Sequence, residues 1–215
     1  MITVNVVDKN NFRRFEPVLD SMFRDRKRLF VDLMKWQLPM ATATHDIDQF
    51  DTDDAVYLVA INPEDGTHMG SMRLLPTTGP HILGDLFPRL CENGVPRGDD
   101  ILEVTRFCPS PRVKNRDRLM ECRLNLGTAM IEYGLLRGLK GYSACTYMSW
   151  TSKLLAAGWR IRPLGLPEPF EDDAINAIEI EVSPSALAEM RTICGQTQPL
   201  LSWVREAHED LPAAA

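Results

Sequence analysis

Two charges stand inside a stretch that otherwise reads as the interior of a sheet. Asp100–Cys108, DILEVTRFC, is a strand built on Ile101, Leu102, Val104 and Phe107, yet Glu103 and Arg106 lie in its middle. Burying either without a partner costs on the order of several kcal/mol. The pair therefore serves either an ion pair, with each other or with Arg73, or general acid–base and ligand-binding chemistry. In a regular strand Glu103 and Arg106 face opposite sides; a β-bulge between them brings both to one cleft. Arg26 is misplaced in the same way. The stripe Phe15, Leu19, Met22, Arg26, Phe30 repeats at spacings of three and four, which puts Arg26 on the apolar face of a helix, unlike Arg24, Lys27 and Arg28. It either snorkels from the edge of that stripe or helps to build a pocket.

Other chemistries find less support. His45, His68, His81 and His208 are scattered, and the five cysteines contain no CxxC pair, so no metal site is expected. GxSxG, Walker-loop and GxGxxG patterns are absent, which removes the commonest hydrolase, nucleotide-hydrolysing and dinucleotide readings. The acidic set Asp46, Asp48, Asp51, Asp53 and Asp54 lacks EF-hand spacing and reads as a solvated loop. The basic run Arg112, Lys114, Arg116, Arg118 and Arg123 is offset only by Asp117 and Glu121. In a chain of net charge −6 it suits an acidic or phosphate-bearing partner.

These side chains need elements to position them. Thr3–Val7 alternates as a short strand, and Asn10 or Asn11 can cap a helix running to about Leu33. An ordered but mobile loop follows over Gln37–Asp54. Val56–Ile61 and His68–Leu75 form a hairpin about NPEDG, in which Met69, Ser71, Arg73 and Leu75 share one face and Gly70, Met72 and Leu74 the other. Arg73 thus points to solvent or to a cleft. Pro76–Asp99 is rich in Pro and Gly, with a short helix over Asp85–Leu90 and Phe87 free to fill an apolar gap. After Ile101–Cys108 come a helix over Arg118–Leu139, a strand over Tyr142–Tyr147, a helix over Thr151–Ala157 and strands over Trp159–Leu164 and Ala177–Val182. Ser183 and Pro184 then open a helix to about Ile193, and Trp203 docks a peripheral tail from Gln196. This order predicts an α/β sandwich: one domain, with a mixed central sheet and helices on both faces.

At 215 residues the chain can bury one sizeable core, and 44% hydrophobic with 25% charged residues is an ordinary globular balance. Its negative charge speaks against non-specific nucleic-acid binding. An odd number of cysteines and the lack of a signal-peptide core or a long apolar span lead us to expect a cytoplasmic protein that does not enter membranes.

Several of these pieces together resemble the acyl-homoserine-lactone synthase family, the autoinducer synthases of bacterial quorum sensing. They are RKRLFVDLMKW (Arg26, Phe30, Trp36), DIDQFD (Asp48, Asp51), GSMRLLPTTGPHILGDLF (Arg73, Phe87) and EVTRF (Glu103, Arg106), in family order over about the first half of the chain, with a later Gly158-Trp159. The resemblance implies a fold related to the N-acetyltransferases and a reaction between S-adenosylmethionine, as substrate and not cofactor, and an acyl thioester. It implies a S-adenosylmethionine pocket shaped by Arg26, Phe30, Trp36, Asp48, Asp51, Phe87 and Arg106, with Arg73 and Glu103 at the reacting centre and Glu103 as base. The acyl chain is then expected between sheet and long helix, along Met72, Leu102, Val104, Met120, Leu124, Ala144, Thr146 and Met148. Family members preferring 3-oxo chains often carry Thr where Ala144 stands, which argues against a 3-oxo donor. Residues 1–110 would make the S-adenosylmethionine side, 111–195 the acyl and carrier side, and 196–215 a peripheral tail.

PSPRVKNRDRL stands where acyl-CoA-dependent transferases place a Gly-rich pyrophosphate loop. Its missing glycines favour an acyl carrier protein, docked on Arg112, Lys114, Arg116, Arg118 and Arg123, over acyl-CoA. Two alternatives remain: an acyl-CoA-dependent N-acyltransferase acting on another amine, and a non-catalytic small-molecule-binding protein of the same fold.

Overall fold

The structure, a computed structural model, describes residues 2–38 and 40–204. Among them one mixed sheet has nine strands: β1 (Thr3–Val7), β2 (Val56–Ile61), β3 (His68–Pro76), β4 (Ile101–Pro109), β5 (Gly141–Tyr147), β6 (Ile161–Pro163), β7 (Glu168–Phe170), β8 (Asp173–Glu181) and β9 (Leu201–Ser202). They run in the order β6–β8–β5–β4–β3–β2–β1–β9, with β7 also on β8. The β4–β5 and β1–β9 pairs are parallel and the rest antiparallel.

Alternation decides which face each helix covers. In β2, Leu58 and Ala60 join a core under α3 (Arg116–Leu136), whereas Tyr57 and Val59 face α1 (Glu16–Arg26) through Leu19, Met22 and Phe23. A third apolar cluster, of Leu83, Leu90, Cys91, Ile175 and Ala177, lies under α2 (Ile82–Asp85). The α/β sandwich with helices on both faces is thus the observed architecture. α4 (Met148–Ala156) and α5 (Pro184–Cys194) complete it.

Local chemistry explains the boundaries. In the β2–β3 turn Asn62 accepts from the Gly66 amide, and Gly66 takes φ 70°. Asn115 caps α3 by accepting from the Asp117 and Arg118 amides, so that helix starts two residues before the expected Arg118. It ends at Leu136, short of Leu139, where Gly138 turns left-handed. Close approach requires α3's glycines: a Cβ on Gly127 would lie 2.5 Å from Trp159 Cζ2.

Other expectations need correction. Asn11 caps nothing, since its side chain bonds Asp8 N, Val6 O and Val204 O. A 3₁₀ turn over Phe12–Phe15 precedes α1, which continues as a π-helical turn over Lys27–Leu33. The helix expected over Asp85–Leu90 is two short turns, α2 and Pro88–Leu90. α4 begins at Met148 and not Thr151, β6 is shorter than Trp159–Leu164, and β8 starts at Asp173. Neither β7 nor β9 was expected. The segment from Gln196 is not wholly peripheral: Leu200 is buried, β9 pairs with β1, and Trp203 packs on Tyr133 at 5.6 Å. Residues 205–215 of that tail, with His208, lie outside the described residues.

Two irregularities of the sheet make room for a site. Ser71 pairs with Cys108 but Arg73 with Thr105, so Met72 lies opposite both Arg106 and Phe107; the bulge places Arg106 at φ 49°. Beyond Glu103 and Ser143 the parallel β4–β5 ladder stops, and the two strands part.

Candidate active site

The bulge puts Arg106 on the same face as Glu103, Arg73 and Thr105. There three arginines and three aspartates interlock below the solvent surface. Arg26 binds Asp51 through both guanidinium tips (2.8 and 2.9 Å) and Asp46 through Nε (3.2 Å). Arg106 donates from Nε to Asp46 (2.9 Å) and from Nη2 to Asp48 (2.8 Å). Arg73 meets Asp48 at 2.6 Å, Asp51 at 2.8 Å and Thr105 Oγ1 at 3.0 Å. Their formal charges cancel. Arg26 does not snorkel, being only 1% exposed. Burial alone would raise the Asp51 pKa, but the Arg26 hydrogen bonds outweigh it and hold the carboxyl well below its usual range. Burial lowers the Arg106 pKa against the opposing charge of Asp46. The loop carrying these aspartates is ordered by its own turns: Asp48 accepts from Phe50 N, Asp51 accepts from Asp48 N, and Asp46 N donates to Phe23 O. Only Asp53 and Asp54 of the acidic set are the solvated residues expected.

An aromatic wall closes the far side of Arg106. Phe30 and Trp36 stack at 4.8 Å, and the Arg106 guanidinium lies over both rings at 5.4 and 6.0 Å. Trp36 Nε1 donates to Tyr147 Oη (3.0 Å), which in turn donates to Glu171 (3.1 Å), tying the segment after α1 to β5 and to the turn that follows β7.

Glu103 makes no ion pair with Arg73 or Arg106 among the described residues. Its two oxygens accept from the backbone amides of Ile82 and Leu83, each at 2.7 Å, and the side chain is fully buried. Burial pushes its pKa up, the two amides and the Arg73 charge pull it back, and it settles at about 7. A carboxylate with that basicity can exchange a proton at neutral pH.

Arg26, Phe30, Trp36, Asp48, Asp51, Arg73 and Arg106 are therefore linked in one network, and Glu103 lies on the same sheet face near Arg73. Phe87 packs instead against the cluster under α2, with Arg89 over its ring at 5.8 Å. Sequence reasoning passed over four participants: Asp46, Tyr57 (donor to Asp51 at 2.9 Å), Thr105 and Tyr147. The DxD spacing of Asp46 and Asp48 was the available signal for the first.

Of the acyl-chain candidates, Met72, Leu102, Val104 and Ala144 face α3 as expected, and Leu124 and Thr146 are half-buried. Met120 is 52% exposed and lines no interior wall, and Met148 opens α4 instead of extending β5. Phe107 and Trp150, 6.1 Å apart, are apolar neighbours there that the sequence reading did not single out. The five basic residues do not form one free surface. Arg112 is spent on Asp25, which also accepts from His68 and Ser110, and Arg123 lies over Trp150. Arg118 approaches Glu64 and Glu121. Lys114 and Arg116 are exposed, and a cavity of about 250 Å³ is lined by Arg112, Lys114 and Arg118.

A family model described as autoinducer synthase matches residues 10–190. The chain is 32% identical over 172 residues to an acyl-homoserine-lactone synthase of Ralstonia solanacearum, covering 77% of this chain and 82% of that one. It is 29% identical over 212 residues to the isovaleryl-homoserine lactone synthase of Bradyrhizobium diazoefficiens, covering 95% and 94%. Among solved structures, the CoA-dependent acyl-homoserine lactone synthase BjaI, in complex with SAM and isopentyl-CoA, matches with a TM-score of 0.86 at 27% identity over 96% of this chain and 95% of that one. A Lactobacillus plantarum protein assigned as an N-acetyltransferase matches at 0.52 and 14% identity, covering 84% and 99%, and shares the fold alone. Alike in sequence and in fold over nearly all of its length to enzymes of this kind, the chain belongs to the autoinducer synthase family and is an acyltransferase that makes an acyl-homoserine lactone.

Proposed function

We propose that the two substrates are S-adenosylmethionine and an acyl thioester, joined in the cleft between the arginine–aspartate network and the parted β4–β5 strands. The observation that carries this is Glu103: a buried carboxylate held by two backbone amides, with its pKa pushed up to about 7, on the same sheet face as Arg73 of the charged network, whose Arg106 lies over the Phe30–Trp36 pair. Phe30 and Trp36 suit the sulfonium and adenine of S-adenosylmethionine. Arg106 spends Nε and Nη2 on aspartates, which leaves Nη1 for the substrate carboxylate.

Glu103, directly or through a water, takes a proton from the substrate ammonium, and the freed amine attacks the thioester carbonyl. Backbone amides where β4 leaves its ladder hold the oxyanion; collapse forms the amide and releases the thiol. The methionyl carboxylate then attacks its own γ-carbon, the C–S bond breaks, and methylthioadenosine departs as the five-membered lactone closes. Positioning by the charged wall is what that step requires.

For the donor, the commitment of Arg112 to Asp25 and of Arg123 to Trp150 weakens the case for an acidic carrier protein. The description of BjaI as CoA-dependent favours acyl-CoA. Incubation with S-adenosylmethionine and matched acyl-CoA and acyl-carrier-protein pools, read by mass spectrometry, tests both parts. Lactone with equimolar methylthioadenosine from the CoA pool is expected. Lactone from the carrier-protein pool alone would overturn the donor assignment, and lactone formed without methylthioadenosine would overturn S-adenosylmethionine as the other substrate.

A further inference from the structure

Glu103 takes its hydrogen bonds from the Thr77–Asp85 segment and not from another side chain. Its orientation and proton affinity therefore depend on where that segment sets the Ile82 and Leu83 amides. The segment is anchored from outside. Arg97 Nη1 donates to Thr77 O at 3.0 Å and to Gly79 O at 3.4 Å, and Thr77 Oγ1 lies 2.9 Å from Ile101 O and accepts from Gly98 N at 3.1 Å. His81 Nδ1 is 2.8 Å from Gly79 O; a carbonyl only accepts, so that nitrogen carries the proton. The His81 ring is fully buried and rests on Gly84, where a Cβ would lie 2.5 Å from His81 Cε1 and 2.8 Å from Arg97 Nη2. Arg97 and His81 thus pack directly onto the backbone one residue beyond Leu83.

We propose that Arg97, His81 and Gly84 form a clamp that positions the Ile82 and Leu83 amides on Glu103 and so sets how readily that carboxylate takes up a proton. Arg97 is a positioning residue: it is exposed and touches neither Glu103 nor the charged network. The proposal rests on the reading of Glu103 as the base. Other groups bearing on Glu103 are Arg73 from β3, Cys91 after the 3₁₀ turn and Cys145 from β5, which lie outside the clamped segment, and Asp85, which ends α2 within it and raises the Glu103 pKa. Amide hydrogen bonds favour the ionised carboxylate, so loosening the clamp raises the pH at which Glu103 ionises.

The test is a carbon-13 NMR titration of glutamate side-chain carboxyls in the intact protein, with the Glu103 resonance assigned by its loss in Glu103→Gln, and kcat/KM measured over the same pH range. Arg97→Ala and Arg97→Lys should both raise the Glu103 titration point by about one pH unit, and activity near pH 7 should fall several-fold and recover in alkali. Gly84→Ala should act in the same direction. A titration point unmoved or lowered in Arg97→Ala overturns the proposal. Full restoration by Arg97→Lys does so too, because it would reveal a charge effect and not a clamp. If instead Glu103→Gln keeps wild-type turnover, the base reading fails while the titration result stands on its own.

Discussion

Above about pH 5, Glu103 should reduce the stability of the fold, and Glu103→Gln measures by how much. An ordinary glutamate ionises near 4.5, whereas Glu103 ionises at about 7 in the fold. Between those values the unfolded chain has released its proton and the folded protein still holds it, so stability falls as pH rises through the interval and is level on either side. Each pH unit of displacement corresponds to about 1.4 kcal/mol, so about 3 kcal/mol is lost by pH 8. The carboxyl is fully buried, so solvent does not screen the effect away. Glutamine removes the titration but offers one oxygen to two amides, a pH-independent cost of about 1–2 kcal/mol. Glu103→Gln should therefore be the less stable protein at pH 4.5 and the more stable one at pH 8. Urea unfolding of both proteins in half-unit pH steps reads this directly, since other titrating groups cancel in the difference. Parallel stability curves, or curves that converge where these diverge, would refute the account of the buried carboxylate.

Three further outcomes follow from the same geometry. Asp46→Asn leaves the buried network one negative charge short and should cost about 3 kcal/mol in urea unfolding at pH 7; a loss below about 1 kcal/mol would mean that the network relaxes. Tyr147→Phe removes the acceptor for Trp36 Nε1, and KM for S-adenosylmethionine should rise about fivefold with kcat nearly unchanged. An unchanged KM would remove Trp36 from the pocket wall. Charge reversal at Lys114 and Arg116 should leave KM for acyl-CoA within about twofold, and a large, salt-sensitive rise with an acyl carrier protein as donor would reinstate the carrier.

The central sheet and α1 were legible because alternation and the 3.6-residue repeat are local signals, whereas α3 is buried on every side from Asn125 to Gly134 and carries no single apolar stripe. So were the buried charges, to the extent that charges in apolar stretches betray them: Arg26, Glu103 and Arg106 each break a pattern, and all three are buried or nearly so on one face of the sheet. The expected bulge exists, but at Arg106 itself, because only the β3–β4 register shows where the extra residue falls. Partners were less legible. Asp46 looks like its solvated neighbours until Arg26 and Arg106 meet over it from 20 and 60 residues away. Arg112 looked like a docking residue because nothing near it in the chain shows that Asp25, 87 residues earlier, claims its guanidinium. The hold on Glu103 was invisible for the same reason, since backbone amides carry no residue-specific signature.

β9 lies against β1 through Val4–Leu201 and Asn5–Ser202, and the Glu132 carboxylate receives the Leu200 and Leu201 amides at 3.0 Å each. Translation at ordinary speed leaves roughly 10–40 s between the synthesis of Val4 and that of Leu201. Through that interval one edge of β1 has no neighbour, and bare strand edges recruit other chains. Ribosomes stalled shortly before Leu200 should thus yield nascent products that clump, and chaperones that shield strand edges should reduce that clumping.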